Sequence, residues 1–238
     1  MARLKHKLSV SPAPLRGVAA ATFTLLLDTA MGLIKQEGRI PSVAEVALRS
    51  AVSRATAYRY FPSRGTLITA VMDASLGPVR AFASTAPDGR ERVRELFEQT
   101  FPRFKEFEPQ MRAAVQLSLE QWAQERAGLL EEEPYRRGHR VRILEHALAP
   151  LEASLPKAVH ERLHKALSVV YGFELVIVLK DIWGASYRET ERIATWMAGR
   201  ADRCGIARCR SRPHASGACP EYAGQAWRRA RHESVTCR

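Results

Sequence analysis

Apolar positions along the chain recur at helical spacing. Phe23, Leu27, Ala30 and Ile34 fall on one stripe of a helix expected over about residues 18–36, ending at Gly38. Pro41 and Ser42 open a second, short helix, in which Ser42 and Glu45 have the S-x-x-E spacing of a capping box. Ser53 is a good N-cap for a third helix over Arg54 to Phe61, which Pro62 closes. From Thr66 to about Ala83 another helix presents Leu67, Val71 and Leu76, and a Pro87-Asp88-Gly89 turn follows it. Further helices are expected at roughly 90–107, 110–127, 138–153, 157–183 and 187–200, with breaks at Pro109, Gly128 to Pro134, Pro156 and Gly184. Ser186 and Glu189 repeat the capping-box spacing at the start of the last one. No alternating strand pattern and no internal repeat stands out. The pattern predicts an all-α protein of about nine helices: a head of three short helices over 18–65 and a bundle of longer ones over 66–200.

Composition changes the picture at the two ends. The 238 residues carry 37 Lys and Arg against 25 Asp and Glu, a formal net charge of +12. Residues 1–80 contribute +7, residues 81–199 contribute −1 and residues 200–238 contribute +6. Counterion release needs clustered cations, so a basic head on a neutral body points to a polyanion partner. Lys5 and Lys7 belong to a basic arm over 1–17. All four cysteines, Cys204, Cys209, Cys219 and Cys237, lie near the C-terminus, and the segment 204–238 has no Leu, Phe, Met or Lys. Such a segment buries too little to offset its chain entropy, so a disordered tail is expected over 201–238. A body without cysteine fits a reducing compartment. Pro12, Pro14 and Arg16 interrupt the approach to the apolar run Val18–Leu27, which argues against a secretory signal. With no window of about 18 uninterrupted apolar residues, the expectation is a soluble, cytoplasmic protein without a membrane partner.

Two short helices joined tightly, the second rich in Arg, Thr and Tyr, describe a helix-turn-helix. Ala57 and Phe61, with Val52, suit its docking face, while Ala55 and Arg59 point the other way and Thr56 and Tyr60 flank them. The stretch Ser42-Val-Ala-Glu-Val-Ala47, then Ala51-Val-Ser-Arg-Ala-Thr-Ala-Tyr-Arg-Tyr-Phe61, Ser63-Arg64 and Leu67, resembles the DNA-binding head of the TetR family of transcriptional regulators. The resemblance spans about residues 18–72 and implies a dimer, an effector pocket in the body and no cofactor. Gly172, Glu174, Asp181 and Trp196 resemble the dimerising end of many members. Three positions depart from the family pattern: Ala51 replaces the usual turn glycine, Ala57 a larger aliphatic and Gly65 an acidic helix former.

Residue roles follow from the chemistry and the resemblance together. Ser42, Thr56, Tyr58, Tyr60 and Arg64 are candidates for phosphate contacts, which position the head without reading sequence. Arg54 and Arg59 are long enough to reach base edges, where a bidentate guanidinium–guanine contact discriminates by about 1–3 kcal/mol. In the body, Phe97, Phe101, Trp122 and His146 are candidates for lining a pocket for a moderately sized, largely apolar or amphipathic effector. Val170, Phe173, Val176, Ile177 and Trp196 are candidates for a dimer interface built from the helices over 169–183 and 187–200.

Other patterns compete. His160-Glu161-Arg162-Leu163-His164 matches H-E-x-x-H, the helical spacing of a zinc hydrolase, although Arg162 and Lys165 put positive charge beside the cation. Cys204, Cys209, His214 and Cys219 recur every five residues, wider than the first pair of a zinc knuckle. Glu131–Glu133 reads as a solvated acidic loop. There is no G-x-S-x-G, G-x-x-x-x-G-K-[ST] or G-x-G-x-x-G, so no motif points to acyl-transfer, nucleotide or dinucleotide chemistry. The reading that follows is a ligand-responsive homodimeric repressor on a pseudo-palindromic operator in double-stranded DNA. The alternatives are a zinc hydrolase on His160, Glu161 and His164, or a DNA-binding protein that answers to no effector.

Overall fold

The computed structural model describes residues 16–135 and 137–210, with side chains as far as residue 200. The arm with Lys5 and Lys7, and His214, Cys219 and Cys237, lie outside them. The described residues form ten α-helices and no strand. The head comprises α1 (Val18–Glu37), α2 (Val43–Arg49) and α3 (Arg54–Tyr60). It continues directly into α4 (Arg64–Leu76), which packs between α1, α5 (Gly89–Glu106) and α6 (Glu108–Arg126). The rest of the body is α7 (His139–Leu148), α8 (Lys157–Val170), α9 (Phe173–Ile177) and α10 (Tyr187–Arg210).

Local chemistry sets the head's boundaries. Gly38 ends α1 in the left-handed conformation, and its N–H bonds the Ile34 carbonyl. Ser42 and Ser53 cap α2 and α3 by accepting from the N–H groups of Glu45 and Thr56. The Ser42–Glu45 pair is only half the expected capping box, because the Glu45 carboxylate forks onto Arg39. A reciprocal box does form at Ser63 and Thr66, a position the sequence reading passed over. By length and composition α1 is apolar enough to cross a membrane, with a mean hydropathy of 1.4. Its face of Leu26, Ala30, Leu33 and Ile34 is nonetheless buried against the other helices.

The body departs from the periodicity reading in four places. The helix expected to run to Ala83 stops at Leu76, where Gly77 takes a positive φ and Pro78 begins a 3-10 turn over Gly77–Ala81. The helix expected over 138–153 is α7 followed by a 3-10 turn at Ala149–Leu151, which contains Pro150. The helix expected over 157–183 is broken at Gly172, which is extended, and resumes as α9 and a π-helical turn over Val178–Ile182. A Cβ at Gly172 would collide with Nη1 of Arg140 and Oε2 of Glu174, so an ion pair occupies the space a side chain would need. Finally, α10 runs through Cys204 and Cys209 to Arg210, past the expected start of a disordered tail.

An aromatic stack fills the bundle's centre. Phe97, Phe101, Phe104 and Tyr171 pack at 5.5–6.4 Å between ring centroids, and Phe173 meets Phe104 edge-on at 5.4 Å. At the base, Glu108 accepts from Lys180 Nζ (2.6 Å), the Tyr187 hydroxyl (2.7 Å) and Arg112, tying α6 to the π turn and α10. Burial alone would raise the Glu108 pKa, but these three donors hold it below the ordinary carboxylate value.

Candidate DNA-binding face and the cavity behind it

The helix-turn-helix closes on itself through α3's inner side. Ala57 and Phe61 are fully buried, Val52 is half-buried, and Phe61 packs on Phe23 of α1 at 5.2 Å. Ala57 is the small residue that lets α3 sit close to α2. The turn between them places Ala51 at φ 54, the one non-glycine residue with positive φ among those described. Backbone geometry thus asks for the glycine that this chain lacks.

The outer side of α3 carries Arg54, Ala55, Tyr58 and Arg59, all exposed, with Ser42 exposed at the start of α2. Tyr58 is 45% exposed, an unusual position for an aromatic side chain with no surface to cover. Between Glu45 and Asp73 the sequence holds no acidic residue, and the Glu45 carboxylate on α2 is bound to Arg39, so α3 itself brings no carboxylate to compete with phosphate for Arg54 and Arg59. Thr56 is half-buried, its hydroxyl taking a hydrogen bond from Ser53.

Two of the expected phosphate contacts are placed otherwise. The Tyr60 ring turns into the head's core, edge-on to Phe23 at 6.3 Å, with the Arg59 guanidinium 5.8 Å from its centroid. Arg64 is engaged inside the protein: Nε donates to Glu132 at 3.1 Å, Nη2 to Glu120 at 2.9 Å, and its backbone N–H to Glu132 at 2.9 Å. Its charge is spent on carboxylates of the body. Glu132 therefore departs from the solvated loop expected over Glu131–Glu133, of which Glu131 and Glu133 are exposed. It joins the first residue of α4 to the α6–α7 connection, and Gln121, itself buried, donates to the same carboxylate at 3.0 Å. Gly65 makes this contact fit, since a Cβ there would lie 2.9 Å from the backbone carbonyl oxygen of Glu133.

The same connection reaches a cavity of about 90 Å³ in the body. Met72, Leu76, Phe104, Met111, Ile143 and Phe173 form its apolar walls, and Tyr135, Arg137, His139, Arg140 and Arg80 bring polar groups to it. Arg137 and Arg140 share the carboxylate of Glu174, and Arg140 also donates to the Ser168 carbonyl at 3.0 Å. Arg80 pairs with Asp73, and burial lowers its pKa to about 10. Burial, with Arg80 and Arg142 nearby, lowers His139 to about 4, and its Nδ1 is buried without a hydrogen-bond partner. Burial also pushes the Tyr171 hydroxyl up to about 12 despite its 2.9 Å bond to Thr100.

None of the four residues expected to line a pocket lines this cavity. Phe97 and Phe101 belong to the aromatic stack behind it, although Phe97 also lines a second pocket of about 210 Å³ with Val93, Thr195 and Ala198. Trp122 is 63% exposed on α6, and His146 accepts from the Ser84 N–H at 3.2 Å while packing on Phe82. The polar groups that do converge come mostly from Tyr135 to Arg140, a cationic and aromatic run that follows Glu131–Glu133 and leads into α7.

Two further expectations change. Val170, Phe173 and Val176 are buried within the chain, and only Ile177 and Trp196 of the expected dimer residues keep exposed surface. His160 and His164 lie with Nε2 at 3.3 and 2.9 Å from the backbone carbonyls of Leu148 and Val141, which gives each a structural partner on or beside α7. Among the described residues no three His, Cys, Asp or Glu side chains come together as metal ligands.

Residues 26–71 match the family described as bacterial regulatory proteins, tetR family, from the third turn of α1 into the second half of α4. No curated protein matches the chain. The matched segment contains the whole helix-turn-helix, including its exposed arginines and its buried docking face. The chain is a DNA-binding transcriptional regulator carrying the head of the TetR family.

Proposed function

We infer that the protein is a homodimeric, ligand-responsive repressor acting in the cytoplasm on a pseudo-palindromic operator. The observation that carries the reading is the outer face of α3, where Arg54 and Arg59 stand exposed beside Tyr58 with no acidic residue nearby in sequence. A cation-rich cavity on the same connection that holds Arg64 supports the effector. Two heads about 34 Å apart match successive major grooves. Ser42 and Tyr58 then hold phosphates, and Arg54 and Arg59 read base edges. An effector favours whichever arrangement of the α6–α7 connection it binds best, and that connection holds α4 through Glu132 and Arg64. The coupling equals the effector's differential affinity for the two arrangements.

A gel-shift titration against fragments of the surrounding chromosomal sequence tests the head. Arg59→Ala is expected to lower operator affinity about 10–100-fold and to relax preference at one position of each half-site. Tyr58→Ala is expected to weaken all sequences alike. Unchanged binding by both variants would end this assignment.

A further inference from the structure

We propose that the cavity is a site for a small organic monocarboxylate, with the carboxylate held by Arg137, Arg140 and His139 and the apolar part between Met72, Met111, Ile143 and Phe173. The inference rests on the effector reading above and names that effector's chemical class. Charge carries it. Three guanidiniums, those of Arg80, Arg137 and Arg140, border the cavity and are largely buried, while among the described residues the carboxylates paired with them are Asp73 and Glu174. Glu174 is shared between two arginines, so the cluster keeps one more positive charge than its carboxylates neutralise. Buried charges require partners, and a ligand carboxylate completes the set. His139 adds a second, independent observation: a buried Nδ1 without a partner, on the same polar side.

Size narrows the class further. At about 90 Å³ the space is well below that of a drug-sized pocket. It suits a short aliphatic chain or a single ring, and Met72 and Met111 are flexible enough to adapt to either.

The test uses the full chain with hexanoate and benzoate as probes, and hexanol, benzyl alcohol and benzylamine as matched controls. Calorimetric titration is expected to give saturable binding of at least one carboxylate with Kd below about 1 mM, at least tenfold tighter than its alcohol. Arg137→Gln is expected to weaken the carboxylate about 10–100-fold without altering alcohol binding. Ala114→Leu fills the apolar wall, leaves the charges in place and should weaken acid and alcohol together. Circular dichroism of both variants separates lost binding from lost folding. Absence of saturable carboxylate binding, or equal affinity for acid and alcohol, overturns the assignment. Gel shifts run in parallel keep the two readings apart. A carboxylate that binds without releasing DNA supports the site and removes the effector role. DNA release by a neutral compound alone keeps an effector and overturns its class.

Discussion

Ala51 shows how one residue can store strain at a functional turn. Its φ of 54 lies where a Cβ crowds the following carbonyl, at a cost of about 1–2 kcal/mol, whereas glycine there pays about 0.4–1 kcal/mol in chain entropy. Ala51→Gly should therefore stabilise the protein by roughly 0.5–1 kcal/mol. Thermal and urea melts check this, and a lower midpoint would contradict the strain account. His139 is the other residue with a sharp expectation. Burial first, then Arg80 and Arg142, lower its pKa from 6.5 to about 4. Below pH 6.5 the unfolded chain takes up a proton that the folded chain resists, so stability falls as pH falls through this window. Above it His139 contributes no pH dependence. Urea midpoints at pH 7.5, 6 and 5 should decline for the wild type and decline less for His139→Gln. Parallel curves for the two proteins would show that the imidazole is not desolvated as described.

Among the elements, the α6–α7 connection carries the most consequence and was the least legible. Glu131–Glu133 reads as a solvated loop because acidic runs usually are, and no periodicity marks a loop that packs. What it packs against, the start of α4, lies far away in sequence. Gly65 was visible as an oddity, and only the 2.9 Å approach of the Glu133 carbonyl explains it. Gly65→Ala should displace the connection and destabilise the protein by about 1–3 kcal/mol, with a larger effect than Gly32→Ala in α1, where a Cβ meets open space. Comparing the two melts isolates the close approach from the general effect of removing glycine. The short helices of the head, by contrast, were legible almost to the residue, because caps and prolines write their boundaries locally. Glu174 and Arg140 could not be read that way: the break at Gly172 answers an ion pair between α7 and α9.

At the scale of the whole molecule, the apolar surface of the C-terminal half has to be accounted for. Periodicity put Val170, Phe173 and Val176 in a dimer interface, yet an apolar stripe on a helix does not say whether it faces its own chain or another. These three face inward, where Phe173 closes the cavity and the aromatic stack. The residues left outward from Val169 onward include Val169, Val178, Ile182, Trp183 and Trp196, with Trp183 77% and Trp196 58% exposed. Large aromatics in that condition are the usual anchors of protein interfaces. If a second copy covers them, a charge placed among them should act on assembly before it acts on folding. Ile182→Glu is expected to raise the dimer dissociation constant at least about 30-fold, equivalent to roughly 2 kcal/mol, with an unchanged circular dichroism spectrum. Operator affinity should fall with it at low protein concentration and recover as concentration rises, because mass action restores the dimer. Sedimentation velocity over a concentration series reads both. A wild-type protein that stays monomeric across the range would end the dimer reading, and a variant whose operator affinity is lost at every concentration would show that Ile182 does not act through assembly.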